Sequence, residues 1–423
     1  METNKIFCVG IDLCGEFSQV TYFNAKENEP VSVDFSGLVQ KYQIPTVVSK
    51  TIGKEEWFAG DEAIKSEKLG EAVLVDDLLN KVASKNPINV DDIVIMPIEL
   101  LKIYLDYLLQ IARMAGQSDY LDKVCITVEN FNISILNVIK KAMNELGVDE
   151  EHLEIISHKE AFIYYVMNQK PEIWRGDVVM FDYNTAGLNV HRLYMANERG
   201  LKIIMVNTDE YKEEVPFSLS LNSLSVDLLD TRLKEAAKHS MDRHNVTTVY
   251  LIGRGFADDI KLPDFIKYVC DRKRVFAGQN LYAKGASYAA SEGILVNRMR
   301  DYLLACSERI TTGIEMRILD RGKDKILRMV KPGINWFTAD CSYDFIVDDA
   351  NELEIFLSPV DTKEKQVIRI SLEDFPKRIN KATRITVSLS FTSDSRCHLM
   401  VKDRGFGEFF ASSGSIINEE LLL

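Results

Sequence analysis

The 423-residue sequence contains no apolar run approaching the roughly 20 residues that a membrane-spanning helix needs, so no such span is expected. A basic excess is also missing. Its 51 Lys and Arg stand against 64 Asp and Glu, for a net charge of −13, which opposes a general nucleic-acid or anionic-membrane surface built on clustered cations. The cysteines Cys8, Cys14, Cys125, Cys270, Cys306, Cys341 and Cys397 include no C-x-x-C pair and have no histidine at zinc-ligand spacing in the sequence. They read as small buried hydrophobes in a reducing compartment. Low-complexity segments are absent, and residues 1–20 interleave charge with apolar residues, unlike a signal peptide or anchor. A cytoplasmic protein with neither nucleic acid nor membrane as partner is the expectation. Its hydrophobic content of 46% supplies cores for two or three domains.

The main positive feature is a pattern that occurs twice. In residues 7–23 an apolar strand reaches Asp12, turns over Cys14, Gly15 and Glu16, and returns as a second strand. In residues 178–193 a strand reaches Asp182, turns over Asn184, Thr185, Ala186 and Gly187, and returns. Each copy opens a run of alternating strands and helices. The first run has strand-rich segments at 6–23 and 31–49, a helical region over 98–113, a strand over 123–128 and a helix over 134–146. Leu101, Leu105, Leu108 and Ala112 give the second of these a buried helical face, and Gly147 is placed to end the last. The second run has strands at 178–194 and 201–206, a helix over 223–239, a strand over 248–252 and helices towards 300. Beyond 309 the pattern changes to short strands over 313–319, 352–357, 367–370, 384–391 and 397–401. Ile385, Val387, Leu389 and Phe391 alternate with the period of a half-buried strand. These regimes predict an α/β lobe over 1–175, a shorter one over 176–305, a β-sandwich over 309–413 and a tail over 414–423.

The order of short segments resembles that of the 70-kDa heat-shock chaperone family, the DnaK type. The resemblance is carried by residues 10–18, 45–48, 59–63, 126–132, 182–190, 252–260, 285–290, 312–315 and 384–407. It implies an actin-like ATPase fold with two ribonuclease H-like halves, followed by a sandwich that resembles the family's substrate-binding domain. In that family backbone N–H groups of the two turns face a nucleotide's phosphates, and each aspartate organises Mg²⁺ and water. The resemblance therefore implies ATP or ADP with Mg²⁺ as cofactor, with Asp12, Gly15, Asp182, Gly187, Gly253 and Gly255 at the nucleotide. Asp12 and Asp182 face the metal if Mg²⁺ is bound. In the sandwich it implies Phe345 and Ile355 as peptide-contacting positions.

The turns depart from the family pattern. Its glycine-threonine-threonine becomes Cys14, Gly15 and Glu16, which brings a carboxylate towards a polyanion. Its run of three glycines and a threonine becomes Asn184, Thr185, Ala186 and Gly187, whose side chains oppose close backbone approach. A family glutamate on the lobe I helix aligns with His158. Residues 194–247 are too few for the family's adenosine-covering helical subdomain, and no helical lid follows the sandwich within the 423 residues. No catalytic residue is assigned. The function expected is a chaperone-related scaffold that binds a polypeptide or protein partner, its ATPase lost or weak. The competing readings are an ATP-dependent chaperone with slow hydrolysis, which the retained Asp12 and Asp182 favour, and an actin-like structural protein. The alternative to metal chemistry at Asp12 and Asp182 is a structural role in capping their hairpins. The sequence leaves the oligomeric state open.

Overall fold

A computed structural model of the chain describes residues 6–34, 42–129, 131–198, 200–256, 260–360, 362 and 364–423. Parts of three segments read above, residues 35–41, Asn130 and residues 257–259, lie outside the described residues. Among the described residues no helix is long and apolar enough to cross a membrane. The chain divides into two compact units, Met1–Tyr194 with Val206–Arg300, and Met195–Met205 with Asp301–Leu423.

The first unit is mixed α/β. Strand Cys8–Leu13 is buried along its whole length, as a strand covered on both faces must be. It pairs parallel with Lys123–Val128, placing Asp12 opposite Thr127, and antiparallel with Phe17–Asn24, to which it is joined by the first turn. Leu153–Ser157 and Glu29–Ser32 extend this sheet on either side. The second pattern is laid out in the same way. Asp177–Asn184 pairs antiparallel with Gly187–Glu198 across the second turn and parallel with Val246–Ile252, placing Asp182 opposite Ile252. Both aspartates thus stand near the end of a strand held by hydrogen bonds on both edges.

Helix packing fixes these strand ends further. Helix Leu281–Ser291 crosses strand Cys8–Leu13 so closely that a Cβ on Gly10 would lie 2.2 Å from the Ser287 backbone N. On its other side Gly285 meets helix His158–Met167, where a Cβ would lie 2.0 Å from the Ala161 carbonyl O. Only glycine at these two positions allows the backbones to meet. The Thr21 hydroxyl donates to the Ala283 carbonyl at 2.8 Å, so the helix is also hydrogen-bonded to the sheet. Helix Pro97–Gly116 buries Leu101, Leu105, Leu108 and Ala112, the face expected from their spacing. Helix Ile133–Glu145 starts at Asn132, whose side chain accepts from the Ile135 N–H, and Gly147 follows it at φ +84. The helices expected towards 300 stop at Ser291, and Glu292 instead bridges to Val296.

The second unit has two four-stranded antiparallel sheets. One runs in the order Lys323–Val330, Thr312–Asp320, Glu352–Pro359, Gln366–Ser371, and the other Cys341–Ile346, Arg384–Phe391, Arg396–Gly405, Ile416–Leu422. They share one apolar core, to which the first contributes Ile314, Ile355 and Leu357 and the second Ile385, Val387, Leu389 and Val401. The segment read as a tail thus contains an edge strand. Arg378 grips Asp403 through two 2.7 Å bonds, and Asp403 also accepts from the Gly405 and Ser413 N–H groups and the Ser413 hydroxyl. These donors, Arg378 foremost, hold the carboxyl of Asp403 well below the usual carboxylate range.

Candidate functional site

The two turns of the first unit face a common cleft. Its lining includes Asp12, Cys14, Gly15, Glu16, Gln19 and Glu129 from the first half of the chain, His158 from the helix that follows, and Asp182, Asn184, Gly253, Arg254, Gln279 and Tyr282 from the second. Its volume is about 180 Å³, below the roughly 300–1,000 Å³ of pockets that enclose small molecules.

Each aspartate is already engaged by the protein. His158 stands at the first position of its helix, fixed by a capping box in which Ser157 and Glu160 satisfy each other's backbone N–H groups. Its Nε2 lies 2.8 Å from Oδ1 of Asp12, and its ring stacks on Tyr282 with centroids 3.8 Å apart. The Cys14 thiol donates to the same Asp12 oxygen at 3.3 Å. On the other side, the Tyr282 hydroxyl donates to Oδ2 of Asp182 at 2.7 Å and the Asn184 amide donates to Oδ1 at 3.2 Å. Cys14, Asp12, His158, Tyr282, Asp182 and Asn184 thus form one connected polar and aromatic chain across the floor of the cleft.

Electrostatics follow from this arrangement. Burial disfavours a charged imidazole at His158, but the charge and hydrogen bond of Asp12, with Asp182 and Glu129 beyond, outweigh it and hold the group above its ordinary value. Burial pushes the Asp182 carboxyl up to about 6, against the opposing pull of His158 and the Tyr282 bond. Burial and the Asp12 charge hold the Cys14 thiol well above its ordinary value. The imidazole is thus hydrogen-bonded to Asp12 and within electrostatic reach of Asp182 and Glu129.

The turns are closed to an anion. Within the second turn, the side-chain Oδ1 of Asn184 accepts the Ala186 N–H at 3.0 Å, which takes up a donor that a phosphate would need. Across the mouth, Arg254 and Glu16 form an ion pair at 2.7 Å, and the guanidinium also lies over the Phe17 ring. Gln19 donates to the Gln279 carbonyl at 2.8 Å, and Gln279 donates to the Gly253 carbonyl at 3.2 Å. The residues do not fit a Mg²⁺-nucleotide. Mg²⁺ takes six oxygens in a near-ideal octahedron, whereas Asp12 faces a thiol and an imidazole.

The expected nucleotide residues separate into two groups. Asp12, Gly15, Asp182 and Gly253 line the cleft; Gly187 and Gly255 do not. Gly253, at φ +96, leaves no room for a Cβ, which would lie 2.2 Å from the Tyr183 carbonyl O. Gly255 packs against the Tyr183 ring, and Gly187, at φ +99, closes its hairpin against Lys212. In the second unit Phe345 is half-buried and lines a cavity of about 710 Å³. Ile355 is fully buried in the shared core, so a peptide cannot reach it, and its expected contact role is corrected to packing. Tyr282 and Gln279 were not expected at the site, since nothing in their local sequence marks them; Arg254 and Glu129 fall within segments that carry the resemblance but were not singled out.

A model of the C-terminal part of a family of unknown function, DUF5716, matches residues 29–307. The chain belongs to this family. A model of a domain of unknown function, DUF8552, matches residues 309–423. No curated protein matches the chain. The DUF5716 match takes in His158, Asp182, Arg254 and Tyr282, while Asp12, Cys14 and Glu16 precede it.

Proposed function

We propose that the protein is a DnaK-like, chaperone-related polypeptide-binding protein on an actin-like, two-lobed plan, its ATP hydrolysis lost or weak. The observation that carries the binding reading is the cavity of about 710 Å³ in the second unit. Met316, Ile318, Leu319, Phe345, Ile346 and Leu353 give it an apolar lining, and its acidic rim has Asp320, Asp344, Asp348, Glu352 and Glu354 against Arg317 and Lys381. Such a site suits an extended segment that inserts an apolar side chain and carries Lys or Arg on its flanks. The weak-ATPase reading is supported by the engaged aspartates and the capped second turn, because phosphoryl transfer depends on positioning and charge neutralisation at the phosphates. No disulfide joins the cysteines among the described residues, which agrees with a cytoplasmic location.

A thermal-shift titration of the whole chain tests binding of nucleotide and of peptide, because a ligand that binds the native state raises its apparent stability. Mg-ATP and Mg-ADP should give no shift, whereas an apolar peptide with basic flanks should raise the melting temperature of the wild type and not of Phe345→Asp. A clear nucleotide shift that disappears in Asp182→Ala would overturn the reading that the cleft holds no nucleotide. Equal peptide shifts in wild type and Phe345→Asp would overturn the cavity as the binding site.

A further inference from the structure

Three donor atoms of different softness converge at the end of strand Cys8–Leu13. The Asp12 carboxylate, the Cys14 thiol and the His158 imidazole each place one ligand atom within 4.8 Å of the other two. Sγ of Cys14 lies 3.6 Å from Nε2 of His158 and 3.3 Å from Oδ1 of Asp12, and the last two are 2.8 Å apart. A tetrahedral zinc ion, with Zn–S of about 2.3 Å and Zn–N or Zn–O of about 2.0–2.2 Å, sets sulfur roughly 3.5 Å from nitrogen or oxygen and nitrogen about 3.3 Å from oxygen. Both sulfur edges are therefore near their ion-bound lengths. The third closes on an ion once the hydrogen bond between His158 and Asp12 opens by about half an ångström.

We propose that Asp12, Cys14 and His158 bind a thiophilic divalent cation of the zinc class. The donor set selects it: thiolate and imidazole favour zinc and its neighbours, whereas Mg²⁺ favours oxygen alone. The donors are held in place beforehand. Asp12 belongs to a strand paired on both edges, and His158 is fixed by its capping box and its stack on Tyr282. Three protein ligands leave a fourth position free, the pattern of a zinc site that keeps one position open, and all three donors line the same cleft as Glu129 and Asp182. On binding, the thiol proton of Cys14 leaves to solvent, together with the imidazole proton on Nε2 where it is present, so that sulfur and nitrogen each offer a lone pair. Carboxylate and thiolate then balance the two positive charges. This site does not depend on the polypeptide-binding reading and can fail or stand without it.

Chelator-treated full-length protein titrated with Co²⁺ provides the test. Wild type should develop the near-ultraviolet band of thiolate-to-cobalt charge transfer, reversed by Zn²⁺ and not by Mg²⁺. Cys14→Ser should lose the band, and His158→Ala should weaken Zn²⁺ binding by more than the roughly 10–100-fold that loss of a supporting partner costs. Cys270→Ser, at an exposed cysteine, should keep the band. Absence of the band in wild type, or a band that survives Cys14→Ser and is lost in Cys270→Ser, overturns the proposal. Should Cys14→Ser not fold, zinc-edge X-ray absorption of the wild type decides between them. One sulfur in the shell supports the site, and a shell with none or with several overturns it.

Discussion

His191 shows how burial, reinforced by nearby positive charge, sets a side chain's chemistry. It lies on the returning strand of the second hairpin, 6% exposed, with Nδ1 2.8 Å from the Thr208 hydroxyl. Burial, with the positive charges of Lys159 and His158 nearby, pushes its imidazole down to about 3. Between that value and the ordinary value near 6.5, the unfolded chain binds a proton at His191 that the native chain does not, so the contribution of His191 to stability must fall as pH falls through this window, while Asp182 and His158, held above their ordinary values, act in the opposite sense. The slope is at most about 1.4 kcal/mol per pH unit. Urea unfolding of wild type and His191→Gln followed from pH 7 to 4.5 should show this loss in the difference between the two, the slopes of stability against pH differing by close to one proton. An unchanged slope in the variant would remove His191 as the cause. At the candidate site, the sequence marked Asp12 and Asp182 through their repeated turns, and His158 through its place in a resemblance. It did not show that Cys14 and His158 meet, because 144 residues separate them and ligand-spacing rules work only over short stretches.

Among the elements, helix Leu281–Ser291 is packed backbone to backbone against both a strand and a helix. A methyl group on Gly285 would lie 2.0 Å from the Ala161 carbonyl O in the facing helix, which must therefore move. Overpacking of this kind costs typically about 1–3 kcal/mol, and the shift would also move His158, which starts that facing helix. Gly285→Ala should lower the denaturation midpoint accordingly, whereas Gly70→Ala, at an open position with positive φ, should act only through local backbone strain. Equal losses with no change around His158 in NMR spectra would refute the packing account. Long or strongly periodic elements were legible from sequence. Lys123–Val128 has its expected bounds, and the helix expected over 134–146 spans Ile133–Glu145. The small sheet of Val48–Thr51, Trp57–Ala59 and Ala72–Val75 was not resolved, because strands of three or four residues are too short to show a period. Ile416–Leu422 was hidden for a different reason: only Leu421 in it is buried, so the strand lacks a clear alternation.

For the molecule as a whole, each unit has its own apolar clusters, and a lesion in one core can be read locally. Arg378→Ala leaves Asp403, whose side chain is 0% exposed, without its cation. Breaking a buried pair in this way costs about 3–5 kcal/mol. Hydrogen exchange should rise across Arg384–Phe391 and Arg396–Gly405 while Asp177–Asn184 and Val246–Ile252 keep their protection; a uniform rise, or none, would contradict this assignment. The sequence revealed the change near 309 from alternating helices and strands to short strands, since the period itself changes there. It could not reveal that 195–205 groups with the later residues, because that grouping depends on where a long hairpin reaches.

The bond from Thr21 to the Ala283 carbonyl joins residues 262 apart in the chain, and the same helix covers Gly10. During synthesis the first sheet must therefore wait for its cover. At about 5–20 residues per second the delay is on the order of 10–50 s, during which one apolar face of the earliest strands is open to whatever the ribosome's surroundings supply. The chain itself would thus pass through a stage in which it needs shielding until residue 283 has emerged.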